Sequence, residues 1–298
     1  MDDAIPADSR VPTDIENAAL CHQAHGYTYR LDDCTDHKKG GTAVAVGIGD
    51  RHFLATAAHV VPTSHSFEVV FPKGQKRVVS FAAHHFDRDV DVGLLEIERS
   101  DVGRLGAGFL PITDVLVNLD QHREWGAIVL GFPAQLTRPV HREHLRGGCD
   151  LQINAVSSFT YCSRTRRIAE WPTEGLEEPS DESRDIFVHF EPENRVSALH
   201  PKNAGSVAPS TPCQAPALSG ISGGGIWVAR ERATPVWRPQ CLLAGIAIAS
   251  FPRDKWIHGR QIGRWLDLVL RHYPKLAKCI GEARNLTHGT ARPSTPAP

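Results

Sequence analysis

One serine in this chain lies among glycines in a pattern that suits nucleophilic chemistry. Residues 220–225 read Gly-Ile-Ser-Gly-Gly-Gly, and Ser222 is the only hydroxyl among them. A serine hydroxyl is a weak nucleophile unless a base takes its proton, and the oxyanion formed on attack needs backbone N–H donors aimed at one point. Flanking glycines permit the unusual backbone angles of such a turn. We therefore predict that Ser222 is a nucleophile, the alternative being a flexible glycine turn.

A base and an acid that could activate this serine occur earlier in the chain. His59 follows the segment Leu-Ala-Thr-Ala-Ala, although an isolated histidine is more often structural. Asp91 directly precedes Val-Gly-Leu-Leu, where a carboxylate is costly to bury unless it is paired, for instance with a histidine Nδ1–H. Asp89 competes with Asp91, which is preferred because it adjoins the apolar segment. A solvated acidic turn is the alternative.

Short apolar segments separated by turn residues must position these three side chains. One series runs over residues 42–97 and a second over residues 125–249, without a helical period. This spacing predicts an all-β barrel or sandwich. A capping box formed by Thr13 and Glu16 predicts a short helix over about 14–22, and apolar residues at helical spacing predict another over about 260–272.

Composition narrows the class of protein and its partners. The 33 Lys and Arg residues nearly balance the 34 Asp and Glu residues, so no basic face for nucleic acid is expected. The acidic first residues, MDDAIPADSR, lack the apolar segment of a secretory signal, and no apolar segment is long enough to span a membrane. Seven scattered cysteines without a CxxC pair predict reduced thiols in a cytoplasmic protein.

Several histidines stand close together without matching a metal-site pattern. His141 and His144 are followed by Cys149, and His84 is adjacent to His85. The first spacing fits no strong zinc pattern, and neighbouring residues of a strand point to opposite faces. We predict neither a metal site nor a cofactor.

The order of the three motifs resembles that of the chymotrypsin/trypsin-like serine peptidases. Thr-Ala-Ala-His59 comes first, then Asp91-Val-Gly-Leu-Leu, then Gly-x-Ser222-Gly-Gly. The strands at 125–133 and 243–248 are also similar to family strands, and the likeness covers about residues 38–272, with a weak match at 140–212. It implies two six-stranded antiparallel β-barrels, with a C-terminal helix and the site in the cleft between the barrels.

The resemblance also implies a role for each site residue. Ser222 would attack the scissile carbonyl, His59 would transfer its proton, and Asp91 would orient the imidazole. The N–H groups of Gly220 and Ser222 would form the oxyanion hole. The residues implied to bind substrate are Pro216, Ile248, Ala249 and Ser250.

Two positions depart from the secreted digestive members of this family. Ile221 stands where those relatives carry the Asp that pairs with a new N-terminus, so activation by N-terminal cleavage is not expected. No acid occurs at Pro216 or over residues 248–250, which predicts a small or apolar substrate residue before the cut.

The sequence predicts four regions: an N-terminal extension with a short helix, a double-barrel domain with a long loop insertion, a C-terminal helix packed on the second barrel, and a disordered tail. These regions span residues 1–37, 38–258 with the insertion at 170–215, 259–283, and 284–298.

The predicted function is that of a serine endopeptidase acting on proteins or peptides, with a regulatory protein partner as a further possibility. The alternative is a catalytically inactive scaffold of the same fold that binds a protein or peptide. Labelling by a fluorophosphonate probe, and its loss in Ser222→Ala, distinguishes the two.

Overall fold

The computed structural model describes residues 14–33, 40–61, 66–70, 76–105, 108–134, 137–144, 150–156, 158–176, 178–191, 218–229 and 240–288. Two large β-sheets, one from each half of the chain, form the framework of this described part. No helix in these ranges is long and apolar enough to cross a membrane.

The first sheet closes into a six-stranded barrel. Its strands follow the order β1-β4-β5-β6-β3-β2, and β2 pairs back with β1. A seventh short strand, β7 (Leu110–Pro111), pairs parallel to β2. The barrel strands are β1 (Thr28–Asp33), β2 (Gly40–Ile48), β3 (Arg51–Thr56), β4 (Ser66–Val70), β5 (Lys76–Asp87) and β6 (Val92–Ile97).

The second sheet has six antiparallel strands and curls toward closure. Its order is β11-β8-β13-β14-β15-β12, and its two edges approach each other through a bridge between Thr165 and Val188. A separate hairpin is formed by β9 (Thr137–His144) and β10 (Asp150–Val156). The sheet strands are β8 (Gly126–Gly131), β11 (Phe159–Arg164), β12 (Asp185–His189), β13 (Gly225–Ala229), β14 (Cys241–Phe251) and β15 (Trp256–Gln261).

Within the described ranges the sheets are accompanied by four α-helices: α1 (Asp14–His25), α2 (Arg99–Val102), α3 (Ile262–His272) and α4 (Ala277–His288). The apolar face of α3 is buried against both halves of the molecule. Its Trp265 is fully buried and donates its indole N–H to the Gly93 carbonyl of β6 at 3.1 Å. Burying an aromatic side chain of this size stabilises the fold by about 2–3 kcal/mol.

A continuous apolar core joins the two halves. It combines Val44 and Phe53 of the first barrel with Leu130 and Trp227 of the second sheet, and with Trp265 of α3. Because cores of this kind are close-packed, the ends of β3, β6 and β14 are held in fixed relation. The end of β3 leads to His59, the start of β6 follows Asp91, and β14 lies beside Ser222.

The predicted fold class is confirmed: the chain is mostly β, with a closed six-stranded barrel, a curled six-stranded sheet and a C-terminal helix. Some boundaries differ from those predicted. The first barrel begins at β1, before residue 38, and β12 forms a paired strand inside the 170–215 segment. The C-terminal helical region contacts both halves and continues in α4 to His288, whereas residues 289–298 lie outside the described residues.

Candidate active site

His59 lies on a short helical turn at the end of β3. The strand ends at Thr56, and a 3-10 turn over Ala58–Val60 follows. Ala57 and Ala58 are buried, and their small side chains let the turn pack closely while the His59 ring remains exposed. The run of small residues before the histidine therefore has a local structural reason.

Asp91 reaches His59 from the turn between β5 and β6. Its carboxylate accepts the backbone N–H of His59 at 3.2 Å and lies 2.9 Å from the ring Nδ1. An ionised carboxylate only accepts hydrogen bonds, so Nδ1 carries the proton and Nε2 is left as a base. The competing Asp89 instead donates its backbone N–H to Asp87 at 3.2 Å.

The backbone of Asp91 is itself unusual, because its φ is +50°. Aspartate is one of the few residues other than glycine that enter this left-handed region, at a cost of roughly 1–2 kcal/mol. The conformation turns the side chain back toward β3, where the two hydrogen bonds from His59 offset the cost.

Ser222 lies in a tight loop between two left-handed glycines, Gly220 at φ +95° and Gly223 at φ +86°. A Cβ at Gly220 would come within 2.9 Å of the Phe132 carbonyl, so only glycine fits there. The N–H groups of Ile221 and Gly223 donate to the carbonyls of Leu218 and Ala247. By contrast, the N–H groups of Gly220 and Ser222 donate to no other residue that the structure describes.

The Ser222 hydroxyl does not bond to His59 in this structure. It donates to the carbonyl of Ile248 at 3.2 Å, and within the described ranges the His59 Nε2 has no hydrogen bond. The two elements are nevertheless close, with Gly41 between them. A Cβ on Gly41 would lie 2.6 Å from the Val60 side chain and 3.0 Å from the Ser222 carbonyl.

Thr42 joins the two elements across the cleft, and sequence reasoning missed it. Its N–H donates to the Ser222 carbonyl at 2.8 Å, and its hydroxyl donates to the Gly220 carbonyl at 2.9 Å. The same hydroxyl accepts the Phe132 N–H at 3.0 Å. The Thr42 carbonyl accepts the hydroxyl of Thr56 at 2.7 Å, at the end of the strand that leads to His59.

The residues predicted to bind substrate lie beside Ser222 where the structure describes them. Ile248 forms a bulge in β14 and is nearly buried. Ala249 and Ser250 follow it and are partly exposed. Pro216 lies outside the described residues.

A buried arginine lies behind Asp91, on β15, and was also missed. Arg260 donates from Nε to the Val90 carbonyl at 2.9 Å and pairs through Nη1 with the buried carboxylate of Asp185. Burial lowers the pKa of the Arg260 guanidinium, and the nearby carboxylate of Asp91 acts against this shift. The lone arginine of the strand segment Trp-Ile-His-Gly-Arg-Gln was the available signal, since arginine is rarely buried without a partner.

The paired histidines that the sequence analysis singled out lie in β5 and β9. Within the described part of the chain, no three His, Cys, Asp or Glu side chains are grouped so that they could hold a metal ion. The ring of His85 stacks on that of His272 at 3.6 Å. The backbones of His141 and His144 lie in β9, and Cys149 lies outside the described residues.

No protein-family model matches this chain, and no curated protein sequence matches it. Solved structures do match, and trypsin-like serine proteases are among them. An inactive mutant form of Rv3671c from M. tuberculosis is 13% identical to this chain, with a TM-score of 0.46. The match covers 90% of this chain and 96% of the Rv3671c chain. A human pathogenic astrovirus serine protease is 9% identical with a TM-score of 0.38, covering 80% and 90%.

The serine endoprotease from Yersinia pestis is 16% identical with a TM-score of 0.42, covering 92% of this chain and 69% of its own. At these identities and TM-scores the likeness carries no inference about activity. The residues of this chain must therefore support any functional proposal by themselves.

The Thr42 contacts predict a clear effect of Thr42→Val on stability. Valine has nearly the same shape but no hydroxyl, so the partly buried bond to the Gly220 carbonyl and the buried bond from the Phe132 N–H are both lost. We expect the free energy of unfolding, measured by urea denaturation, to fall by about 1–3 kcal/mol.

Thr160→Val is the matched control, because the Thr160 hydroxyl is buried and makes no hydrogen bond. Its removal should leave stability unchanged or raise it slightly. Equal losses in the two variants would contradict the role given to Thr42.

Proposed function

We propose that this chain is a serine endopeptidase, with His59, Asp91 and Ser222 as its catalytic triad. The observation that carries the proposal is the pairing of Asp91 with both the backbone N–H and the ring of His59. A histidine held in this tautomer has its Nε2 free to act as a base. The glycine-bounded turn at Ser222 supplies a nucleophile on the neighbouring element.

Acylation begins with a change of the Ser222 side-chain rotamer. The hydroxyl leaves the Ile248 carbonyl and turns toward His59 Nε2, as catalytic hydrogen bonds often tighten only once substrate is bound. His59 takes the hydroxyl proton while Oγ attacks the peptide carbonyl carbon. Asp91 stabilises the imidazolium that results. His59 then donates the proton to the amide nitrogen, the C–N bond breaks, and the amine leaves an acyl-Ser222 ester.

Deacylation repeats the sequence with water as the nucleophile. His59 takes a proton from water, the hydroxide oxygen attacks the ester carbonyl, and the proton returns to Ser222 Oγ as the C–O bond breaks. The products are a carboxylic acid and the original enzyme.

The N–H groups of Gly220 and Ser222, which donate to no residue of the described ranges, support their assignment to the oxyanion hole. Donors of this kind can serve the oxygen that becomes negative in the tetrahedral intermediate. The left-handed glycines at 220 and 223 hold the turn in the required shape. Removal of one such donor typically lowers kcat by about 10²–10³-fold.

The substrates we propose are proteins or peptides, bound along Ile248, Ala249 and Ser250 with Pro216 at the floor of the specificity pocket. The absence of an acidic residue at these positions favours a small or apolar residue before the cut. Action in the cytoplasm and control by a protein partner remain predictions from the sequence.

Ile221 supports a peptidase that needs no N-terminal cleavage. The side chain is 1% exposed and packs in the apolar core of the second sheet. An apolar side chain in this position cannot pair with a newly formed amino terminus.

One observation favours the alternative, a catalytically inactive scaffold that binds a protein or peptide. The Ser222 hydroxyl bonds to Ile248 and not to His59. If this rotamer is permanent, the chain keeps the cleft without the reaction, so a direct test of the hydroxyl is required.

The first test is labelling of the intact, full-length chain with a fluorophosphonate probe. We expect labelling without prior proteolysis, and loss of labelling in Ser222→Ala together with a fall in kcat of about 10⁶-fold. Ser219→Ala, which removes an exposed hydroxyl of the same loop, should label like the parent. No labelling of the intact chain would favour the scaffold, and labelling only after N-terminal clipping would overturn constitutive activity.

The second test separates the two candidate acids. Asp91→Asn should lower kcat by about 10⁴-fold, because an amide no longer fixes the His59 tautomer. Asp89→Asn removes a carboxylate two residues away that does not contact His59, and it should leave peptide hydrolysis near that of the parent. A larger loss in the Asp89 variant would show that the wrong acid has been assigned.

The third test concerns specificity. Cleavage of an unbiased peptide library should favour small or apolar residues immediately before the cut, since no acid is found at the proposed pocket positions. The measurement is mass-spectrometric identification of the products. A profile dominated by Arg and Lys would refute the proposed pocket.

A further inference from the structure

Two cysteines that are distant in sequence lie side by side at the back of the second sheet. Cys21 of α1 places its Sγ 3.7 Å from the Sγ of Cys162 in β11. Neither takes part in a disulfide in this structure. A disulfide requires a separation of about 2.05 Å, so the two sulfurs would have to approach each other by less than about 2 Å to form one.

Other contacts hold α1 in place against the same sheet. His25, one turn after Cys21, lies 3.0 Å through Nε2 from the hydroxyl of Ser158, just before β11. Gln23 accepts the backbone N–H of Cys241 in β14 at 3.0 Å. The contact between the two sulfurs is therefore made by a helix that several other contacts hold against the second sheet.

The two thiols differ sharply in their access to solvent. Cys162 is exposed, whereas Cys21 is only 6% exposed. A third thiol, Cys241, is fully buried and contacts α1 through the Leu20 carbonyl at 3.8 Å. A reagent in solution reaches Cys162 before it reaches either of the others.

We propose that Cys21 and Cys162 form a redox-active pair, which a peroxide-class oxidant converts into a disulfide. The Cys162 thiolate attacks one peroxide oxygen and the O–O bond breaks, which leaves a sulfenic acid on Cys162. The departing hydroxide takes up the proton that the Cys162 thiol lost on ionisation and becomes water. The Cys21 sulfur then attacks the Cys162 sulfur, and the hydroxyl leaves as water with the Cys21 proton. Two thiols are oxidised, and one hydrogen peroxide is reduced to two waters.

The electrostatics of Cys21 agree with this order of events. The hydrogen bond with Cys162 and then burial raise the pKa of the Cys21 thiol. Cys21 therefore remains protonated and unreactive while Cys162 is reduced. Part of the rise in the Cys21 pKa comes from its interactions with Cys162. Oxidation of Cys162 removes that part, and Cys21 then loses its proton more easily.

The bond would connect α1 to an edge strand of the second sheet. The two cysteines are 141 positions apart, and cross-links that close long loops restrict the unfolded chain most strongly. We expect oxidation to raise the Tm of the protein by roughly 5–10 °C, and reduction with dithiothreitol to reverse the change.

The test uses the full-length chain, fully reduced, treated with hydrogen peroxide, and then blocked with an alkylating reagent. Mass spectrometry should find a species lacking two hydrogens and two alkyl groups, with Cys21 linked to Cys162. Trypsin isolates Cys21 in the 11–30 peptide but leaves Cys149 and Cys162 together in 147–164. A second cleavage after Tyr161 separates these two.

Three serine variants make the assignment specific. Cys162→Ser should lose both the cross-link and the rise in Tm. Cys21→Ser should accumulate a sulfenic acid at Cys162, which dimedone traps. Cys279→Ser, a partly exposed thiol outside the pair, should form the cross-link like the parent.

Two results would overturn the proposal. One is a disulfide joining Cys21 to Cys241, or to any cysteine other than Cys162. The other is oxidation of Cys162 to sulfenic or sulfinic acid in the parent without a bond to Cys21. Each can be read directly from the peptide masses, whether or not the chain hydrolyses peptides.

Discussion

The site depends on one buried threonine that holds the two halves of the molecule in register. Thr42 bonds to the carbonyls on both sides of Ile221, to the N–H of Phe132 and to the hydroxyl of Thr56. Because Thr42 is fully buried, water cannot replace any of these bonds, and loss of one leaves a polar group unsatisfied. The contact thereby fixes the loop that contains Ser222 relative to the strand that leads to His59.

A buried ion pair lies behind the acidic side of the site, whereas Asp91 itself is partly exposed. Asp91 adopts a strained left-handed backbone and is held there by two hydrogen bonds from His59. Behind it, Arg260 is anchored by the buried carboxylate of Asp185. Together these contacts hold the Asp91 carboxylate against the His59 ring, which is the arrangement that the proposed triad requires.

Helix α1 connects the two halves from the outside. It packs on the second sheet, yet only two residues separate its end at His25 from β1 of the first barrel. The Cys21–Cys162 contact and the bond from His25 to Ser158 lie along this single docking surface. A segment that precedes the first barrel in sequence is thus part of the structure of the second sheet, and a covalent bond formed there would restrain both.

Much of the fold and part of the site could be predicted from local patterns. Local sequence patterns predicted the short apolar strands and the C-terminal amphipathic helix. They also predicted the turns that contain His59, Asp91 and Ser222, because strand burial and turn geometry depend on neighbours in the chain. The sequence favoured Asp91 over Asp89, and the tertiary structure places Asp91 in contact with His59. Only the tertiary structure decided that Thr42 and Arg260 support the site, and that Cys21 touches Cys162. Contacts between residues far apart in the chain follow from how the sheets close and pack, and they leave no periodic pattern in the sequence.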